Sequence, residues 1–224
     1  MNKDKINLIV TLVFTILFVY IIFLKPLSFQ YDLEVKNTGK RKVFCIGLGR
    51  TGTSSLTQGL INLGYNTWHC PYLYESANIR NYVNKFDALT ELPLCSEYDF
   101  KDLYNMYPDA LYILTTRDEE KWLNSTIKYK WLADNMVSRC PGYEMFCKNF
   151  YNFDFSIETF RDYNQSVLDF FKDKEDQLLV MNIPNGDGYE KLCPFLGVSN
   201  VNKKFPNKKE VYLQIYLRFK YLFH

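Results

Sequence analysis

The residues best suited to chemistry lie between Val43 and Leu63, in the stretch VFCIGLGRTGTSSLTQGLINL. Gly47, Gly49 and Gly52 bracket Arg50 and Thr51, and three hydroxyls follow at Thr53, Ser54 and Ser55. Ahead of them, Val43–Ile46 has the length and composition of a buried strand. Behind them, Leu56, Leu60 and Leu63 recur at i, i+4 and i+7, the apolar stripe of a helix that opens at Thr53–Ser55 and ends at Gly64. A strand feeding a glycine turn feeding a helix aims backbone N–H groups, and the positive end of the helix dipole, at one point. That point suits a phosphate or a sulfate.

Three readings compete for the loop. GLGRTG fits the dinucleotide fingerprint G-x-G-x-x-G, which would make the chain an NAD(P)-dependent oxidoreductase. That fingerprint needs an acid about 20 positions on, at the end of the second strand, to hold the ribose. Here that place is Trp68–His69–Cys70–Pro71, and the first acid is Glu75, beyond the proline. A nucleotide triphosphatase loop needs G-x4-G-K-[ST]; Gly47 and Gly52 match its spacing, but Thr53 stands where the lysine belongs. What remains is an anion loop whose cation has moved inward to Arg50. A turn built for steric reasons alone has no use for a cation and three hydroxyls.

A second candidate anion site lies in TTRDEEKWLNST. Arg117 ends the apolar run Ala110–Thr116, and Ser125 follows two helical turns later. An arginine there offers phosphate oxygens a planar, permanently charged fork, and the serine adds a hydroxyl donor. The competing role for Arg117 is a surface ion pair with Asp118 or Glu120. For proton transfer the chain offers two histidines, and His224 is its last residue. His69 ends the second strand, at the same sheet edge as the glycine loop, where a general base could reach a bound acceptor. Asp87, Glu91 and Glu75 are the carboxylate alternatives.

The glycine loop resembles the 5′-phosphosulfate loop of the sulfotransferases, in which Lys or Arg precedes a [ST]-G-[ST]-[ST] run. Arg117 with Ser125 resembles the 3′-phosphate motif of the same family, and Gly188–Pro206 (GYEKLCPFLGVSNVNKKFP) resembles the G-W-E-x-L-C-x-F-L-G-x-P…F-P signature of a eukaryotic branch with membrane-anchored members. Tyr189 and Ser199 depart from that signature. The resemblance spans about Lys42–Asn207. It implies 3′-phosphoadenosine 5′-phosphosulfate (PAPS) as donor, adenosine 3′,5′-bisphosphate as product, and no metal. It also implies that Gly47, Gly49, Arg50, Thr51, Gly52, Thr53, Ser54 and Ser55 surround the 5′-phosphate, and that Arg117 and Ser125 hold the 3′-phosphate. Arg50 would stabilise charge on the leaving oxygen and His69 would take the acceptor's proton. The acceptor would be a hydroxyl or amine of a glycan, lipid or small molecule. A non-catalytic anchored binding protein that keeps the fold is a further alternative.

The elements that must position these residues follow from pattern and length. A chain of 224 residues suits one domain of ordinary size, and a net charge of +2 gives no argument for nucleic acid. Asn7–Leu24 carries no charge, and its 18 residues at about 1.5 Å each cross roughly 27 Å, enough for a bilayer core. Lys25–Pro26–Leu27 follows, without the small residues of a cleavage site. The expectation is an uncleaved, single-pass signal anchor after a tail of residues 1–6, then a stalk over 25–41 and a sulfotransferase-like domain over 42–224. Lys3 and Lys5 precede the span, whereas Lys25, Lys36, Lys40, Arg41 and Lys42 follow it, so the basic residues do not favour a cytoplasmic N-terminus. A type II orientation with a luminal, Golgi or endomembrane domain therefore rests on the resemblance.

Strands are expected at Val43–Ile46, Tyr65–Cys70, Phe86–Pro93, Ala110–Thr116 and Gln177–Ile183. Helices are expected between them, at Glu75–Phe86, Glu97–Met106, from Asp118 onward, Ser156–Lys172 and Tyr189–Leu196. This alternation predicts an α/β three-layer sandwich around a central parallel sheet with a P-loop-like core. Ser138–Asp154 reads as an aromatic-rich insertion, and Lys208–His224 as a helix that packs on the core or lies against a membrane. Cys45 belongs to a core strand as a free thiol, while Cys140 and Cys147 could pair in an oxidising compartment. Asn124 and Asn164 open glycosylation sequons, both on predicted helices.

Overall fold

The computed structural model describes residues 39–69, 79–91, 99–136 and 154–207. Asn7–Leu24, Glu75, Cys140, Cys147, nearly all of the insertion and Lys208–His224 lie outside the described residues. Among the described residues no helix is long and apolar enough to cross a membrane.

Strands and helices alternate as β1 (Val43–Cys45), α1 (Thr53–Asn62), β2 (Thr67–His69), α2 (Ile79–Lys85), β3 (Ala88–Thr90), α3 (Phe100–Met106), β4 (Leu111–Thr115), α4 (Glu119–Met136), α5 (Ile157–Phe171), β5 (Leu178–Met181) and α6 (Tyr189–Leu196). The five strands form one sheet in the order β2-β3-β1-β4-β5, and every pairing is parallel. β1, β3 and β4 are buried along their whole length, as expected of parallel strands covered on both faces.

The period of two along each strand divides the core. Phe44, Leu89, Tyr112 and Leu114 point to one face, where Val83 of α2, Phe100 and Leu103 of α3, and Val167 and Phe171 of α5 meet them. Val43, Cys45, Ala88, Leu111 and Ile113 point to the other, against Leu56 and Leu60 of α1 and Leu192 of α6. A smaller cluster of Leu48, Trp122 and Phe160 lies under the glycine loop and ties α4 to α5. The layers are thus helix, sheet, helix, as the alternation predicts.

The helix ends follow local chemistry. Asp99 closes a capping box with Asp102 at α3, and the Ser156 hydroxyl accepts the Thr159 N–H at α5. α1 differs: its N-cap is Gly52, with φ +107° and no side-chain cap. At the opposite edge of the sheet, before β1, the chain is fastened by basic side chains. Lys40 Nζ donates to Leu63 O at 3.1 Å and to Gly64 O, Arg41 Nε to Asp109 O, and Lys42 Nζ to Phe86 O at 2.9 Å.

Candidate active site

Because all strands run the same way, the segments leaving β1, β2, β3 and β4 emerge on one rim, where ligands of open α/β sheets bind. The glycine loop leaves β1 there. Gly47 is obligatory for a packing reason: a Cβ would fall 2.5 Å from both the backbone N and the backbone O of Thr115 on β4. Arg50 follows with φ +73°, a left-handed conformation that a side chain pays for. At Gly52 the chain turns into α1, against Ile183 and Pro184. Gly52 gives α1 no side-chain cap, while its carbonyl accepts the Ser55 and Leu56 N–H groups; the positive end of the helix dipole lies at the glycine loop.

The two arginines predicted for separate anion sites meet. Arg50 Nε donates to Ser125 Oγ on α4 at 3.1 Å, and its guanidinium lies 4.8 Å over the Tyr129 ring. The Arg117 guanidinium donates to the Arg50 carbonyl at 2.8 Å. Burial first, and then the Arg50 charge, lower the Arg117 pKa from the ordinary arginine value, with Asp118 opposing. Its Nε is buried without a hydrogen-bond partner. Two cations held together, one with an orphaned donor, suit a negative charge between them.

The hydroxyls do not all behave alike. Thr51 is fully buried, and its hydroxyl donates to Leu48 O at 2.5 Å and lies 2.6 Å from Thr115 Oγ1. Its side chain therefore serves the loop's own shape, which leaves its backbone N–H as the group expected to face a ligand. Thr53 is buried and donates to Glu91 Oε2 at 3.4 Å, Ser55 is buried in the first turn, and Ser54 is exposed.

His69 ends β2 on the same rim, as expected. Its Nδ1 lies 2.9 Å from Thr90 Oγ1 and 3.2 Å from Thr57 Oγ1; its Nε2 lies 2.9 Å from Glu91 Oε2 and 3.3 Å from Ser54 Oγ. Glu91 follows β3 with φ +65°, the second non-glycine residue in left-handed backbone. Two of the four predicted proton acceptors thus form one pair beside the loop. Asp87 does not join them. It precedes β3 at the opposite edge, is buried, and accepts the Asn66 N–H at 2.8 Å beside Lys42. Among the described residues, no group of three or more His, Cys, Asp and Glu side chains is placed to hold a metal ion.

A family model described as "Sulfotransferase domain" matches residues 42–79, 72–140 and 126–211. The chain belongs to the sulfotransferase domain family. The sulfotransferase of Alicyclobacillus acidocaldarius has a similar fold, with a TM-score of 0.51 and 17% identity over 82% of this chain and 92% of that one. The "Ava biosynthesis cluster protein M" of Aspergillus versicolor is 29% identical over 108 residues, which is 38% of this chain and 41% of that relative. The chain thus matches about two fifths of that curated relative's length.

Sequence reasoning missed Trp122, although it stands between Arg117 and Ser125 in the motif. Its indole N–H donates to Gly49 O at 3.0 Å. Tyr163 was also missed; its hydroxyl donates to Ile46 O at 2.6 Å. A buried aromatic with a polar tip needs a partner, but nothing in the sequence says which.

Proposed function

We propose that this member of the family transfers a sulfuryl group from PAPS to a hydroxyl or amine of a glycan, lipid or small molecule. The observation that carries this reading is the union of the two anion sites. Arg50 touches Ser125, and Arg117 touches the Arg50 carbonyl, so a loop for one phosphate and a cation for another share one rim. A dinucleotide oxidoreductase needs a ribose acid at the end of β2, where His69 stands instead.

The residues present fit such a nucleotide. The uncapped start of α1 would take its 5′-phosphate, and Arg117 with Ser125 its 3′-phosphate; the orphaned Arg117 Nε is the donor in want of an anion. When bound, the donor supplies the sulfuryl group and a nucleoside bisphosphate leaving group. Arg50 stabilises negative charge at the rim, where electrostatic positioning carries most of the catalysis in loose, in-line transfers of this kind. His69 takes the acceptor's proton, oriented by Thr57 and Thr90 at Nδ1, with Glu91 beside Nε2. Asn7–Leu24 anchors the chain in a membrane, with the catalytic domain on the luminal side.

Calorimetry with adenosine 3′,5′-bisphosphate and with NAD tests the nucleotide assignment. Binding of the first and not the second is expected; the reverse would replace this reading with the oxidoreductase. Transfer of labelled sulfate from PAPS to a panel of hydroxyl and amine acceptors separates an enzyme from a binding protein of the same fold.

A further inference from the structure

The carbonyl groups at the glycine loop are held by side chains, one from within the loop and three from outside it. Ile46 O accepts from Tyr163 of α5 at 2.6 Å, Leu48 O from Thr51 at 2.5 Å, Gly49 O from Trp122 of α4 at 3.0 Å, and Arg50 O from Arg117 at 2.8 Å. Trp122 is fully buried and stacks on Phe160 of α5, with ring centroids 4.5 Å apart.

A trans peptide is a rigid plane whose C=O and N–H point in opposite directions, and the described chain has no cis bonds. A donor that fixes the Gly49 carbonyl therefore also fixes the direction of the Arg50 N–H. The same holds for the Arg50 carbonyl and the Thr51 N–H. A loop that binds an anion through its N–H groups must turn its carbonyls away, and carbonyls turned into a protein interior need donors there. Trp122 supplies one to the Gly49 carbonyl and Arg117 one to the Arg50 carbonyl; Tyr163 holds the Ile46 carbonyl, whose peptide partner, the Gly47 N–H, meets the Cys45 thiol instead.

We propose that Trp122 is a positioning residue for the 5′-phosphate cradle. It does not touch the ligand; it acts through the Gly49 carbonyl, so that the Arg50 N–H is aimed before any nucleotide arrives. The inference rests on the nucleotide reading given above.

The test is calorimetry on the full chain with adenosine 3′,5′-bisphosphate, adenosine 5′-phosphate and adenosine 3′-phosphate. Trp122→Phe keeps the buried ring and removes the donor. It is expected to weaken the first two by about tenfold, the size of one buried hydrogen bond, and the 3′-phosphate by less than about twofold. Equal weakening of all three, or no change in any, overturns the proposal. If Trp122→Phe does not fold, benzothienylalanine in place of Trp122 keeps the shape of the indole and swaps its N–H for sulfur. An unchanged ratio between the 5′- and 3′-phosphates in that protein overturns the proposal by itself. A wild-type chain that binds none of the three overturns the nucleotide reading first, and this inference with it.

Discussion

His69 and Arg117 are the residues whose roles separate most cleanly by measurement. The His69 ring is held on one side by the hydroxyls of Thr57 and Thr90, and on the other it meets Glu91 at 2.9 Å. In the proposed role of taking the acceptor's proton, it would act on turnover and not on the nucleotide. His69→Ala is expected to lower the transfer rate by about 100-fold or more while leaving the affinity for adenosine 3′,5′-bisphosphate within a factor of two or so. Turnover near the wild-type rate would move the role to Glu91. Arg117 holds the Arg50 carbonyl with one nitrogen, and in the proposed reading its unpaired Nε serves the 3′-phosphate. Arg117→Ala is therefore expected to weaken adenosine 3′,5′-bisphosphate by about 100-fold, the upper range for a charged hydrogen bond, and adenosine 5′-phosphate by much less. Titration of both nucleotides decides it, and equal losses would remove Arg117 from the 3′-phosphate. The pairing of Arg50 with Ser125 was not legible in the sequence. Seventy-five positions separate them, and only the adjacency of β1 and β4 brings them together.

At the scale of elements, the helix behind the loop is kept in place from the C-terminal side. Phe205 lies against Gly59 of α1, where a Cβ would come within 2.8 Å of the ring, and packs edge-on to Tyr189. Alanine improves an exposed helix over glycine by about 1 kcal/mol, but overpacking a filled contact costs about 1–3 kcal/mol. The second effect wins here. Gly59→Ala is expected to lower the melting temperature, and adding Phe205→Leu to restore part of the loss; a Gly59→Ala protein that melts higher would show that the ring yields freely. The turn between β5 and α6 depends on Asp187, which accepts from Asn182 N–H at 2.7 Å and Lys191 Nζ at 2.8 Å. Burial alone would push its carboxyl up; those two donors outweigh burial and hold it below the usual 3.8. A depressed folded value means that the stability is present above the unfolded pKa and disappears as pH falls through the lower folded one. Asp187→Asn is accordingly expected to melt lower than wild type at about pH 7, with the gap closing in strong acid; a gap independent of pH would assign the cost to packing. Helix limits were readable to within a few residues wherever a cap marked them, as at Asp99, Asp118 and Ser156. Tyr189–Leu196 matched end to end. Strand limits were less so: Phe86–Pro93 contains a strand of only Ala88–Thr90, because burial continues past the hydrogen-bonded ladder.

For the whole molecule, the nucleotide reading has a thermodynamic signature. Arg50 and Arg117 repel each other in the folded state, and a bound anion relieves that repulsion while selecting the folded chain. At 100 times its Kd, a ligand that binds only the folded protein adds about 2.7 kcal/mol. For a domain of this size that corresponds to a rise of about 5–10 °C in Tm. Adenosine 3′,5′-bisphosphate is expected to produce it, and adenosine to fall far short; equal shifts would show that the phosphates contribute little. The layer architecture was legible because alternating elements with buried strands leave few other arrangements. The strand order was not, since the pattern of apolar residues says which strands are covered and not which are neighbours: β3, not β2, adjoins β1. Lys40, Arg41 and Lys42 fasten the incoming chain at the edge where the strands begin, while the reactive groups gather where they end. A fusion joined directly at Gly39 would therefore start at the end of the sheet opposite the glycine loop, away from His69 and Glu91.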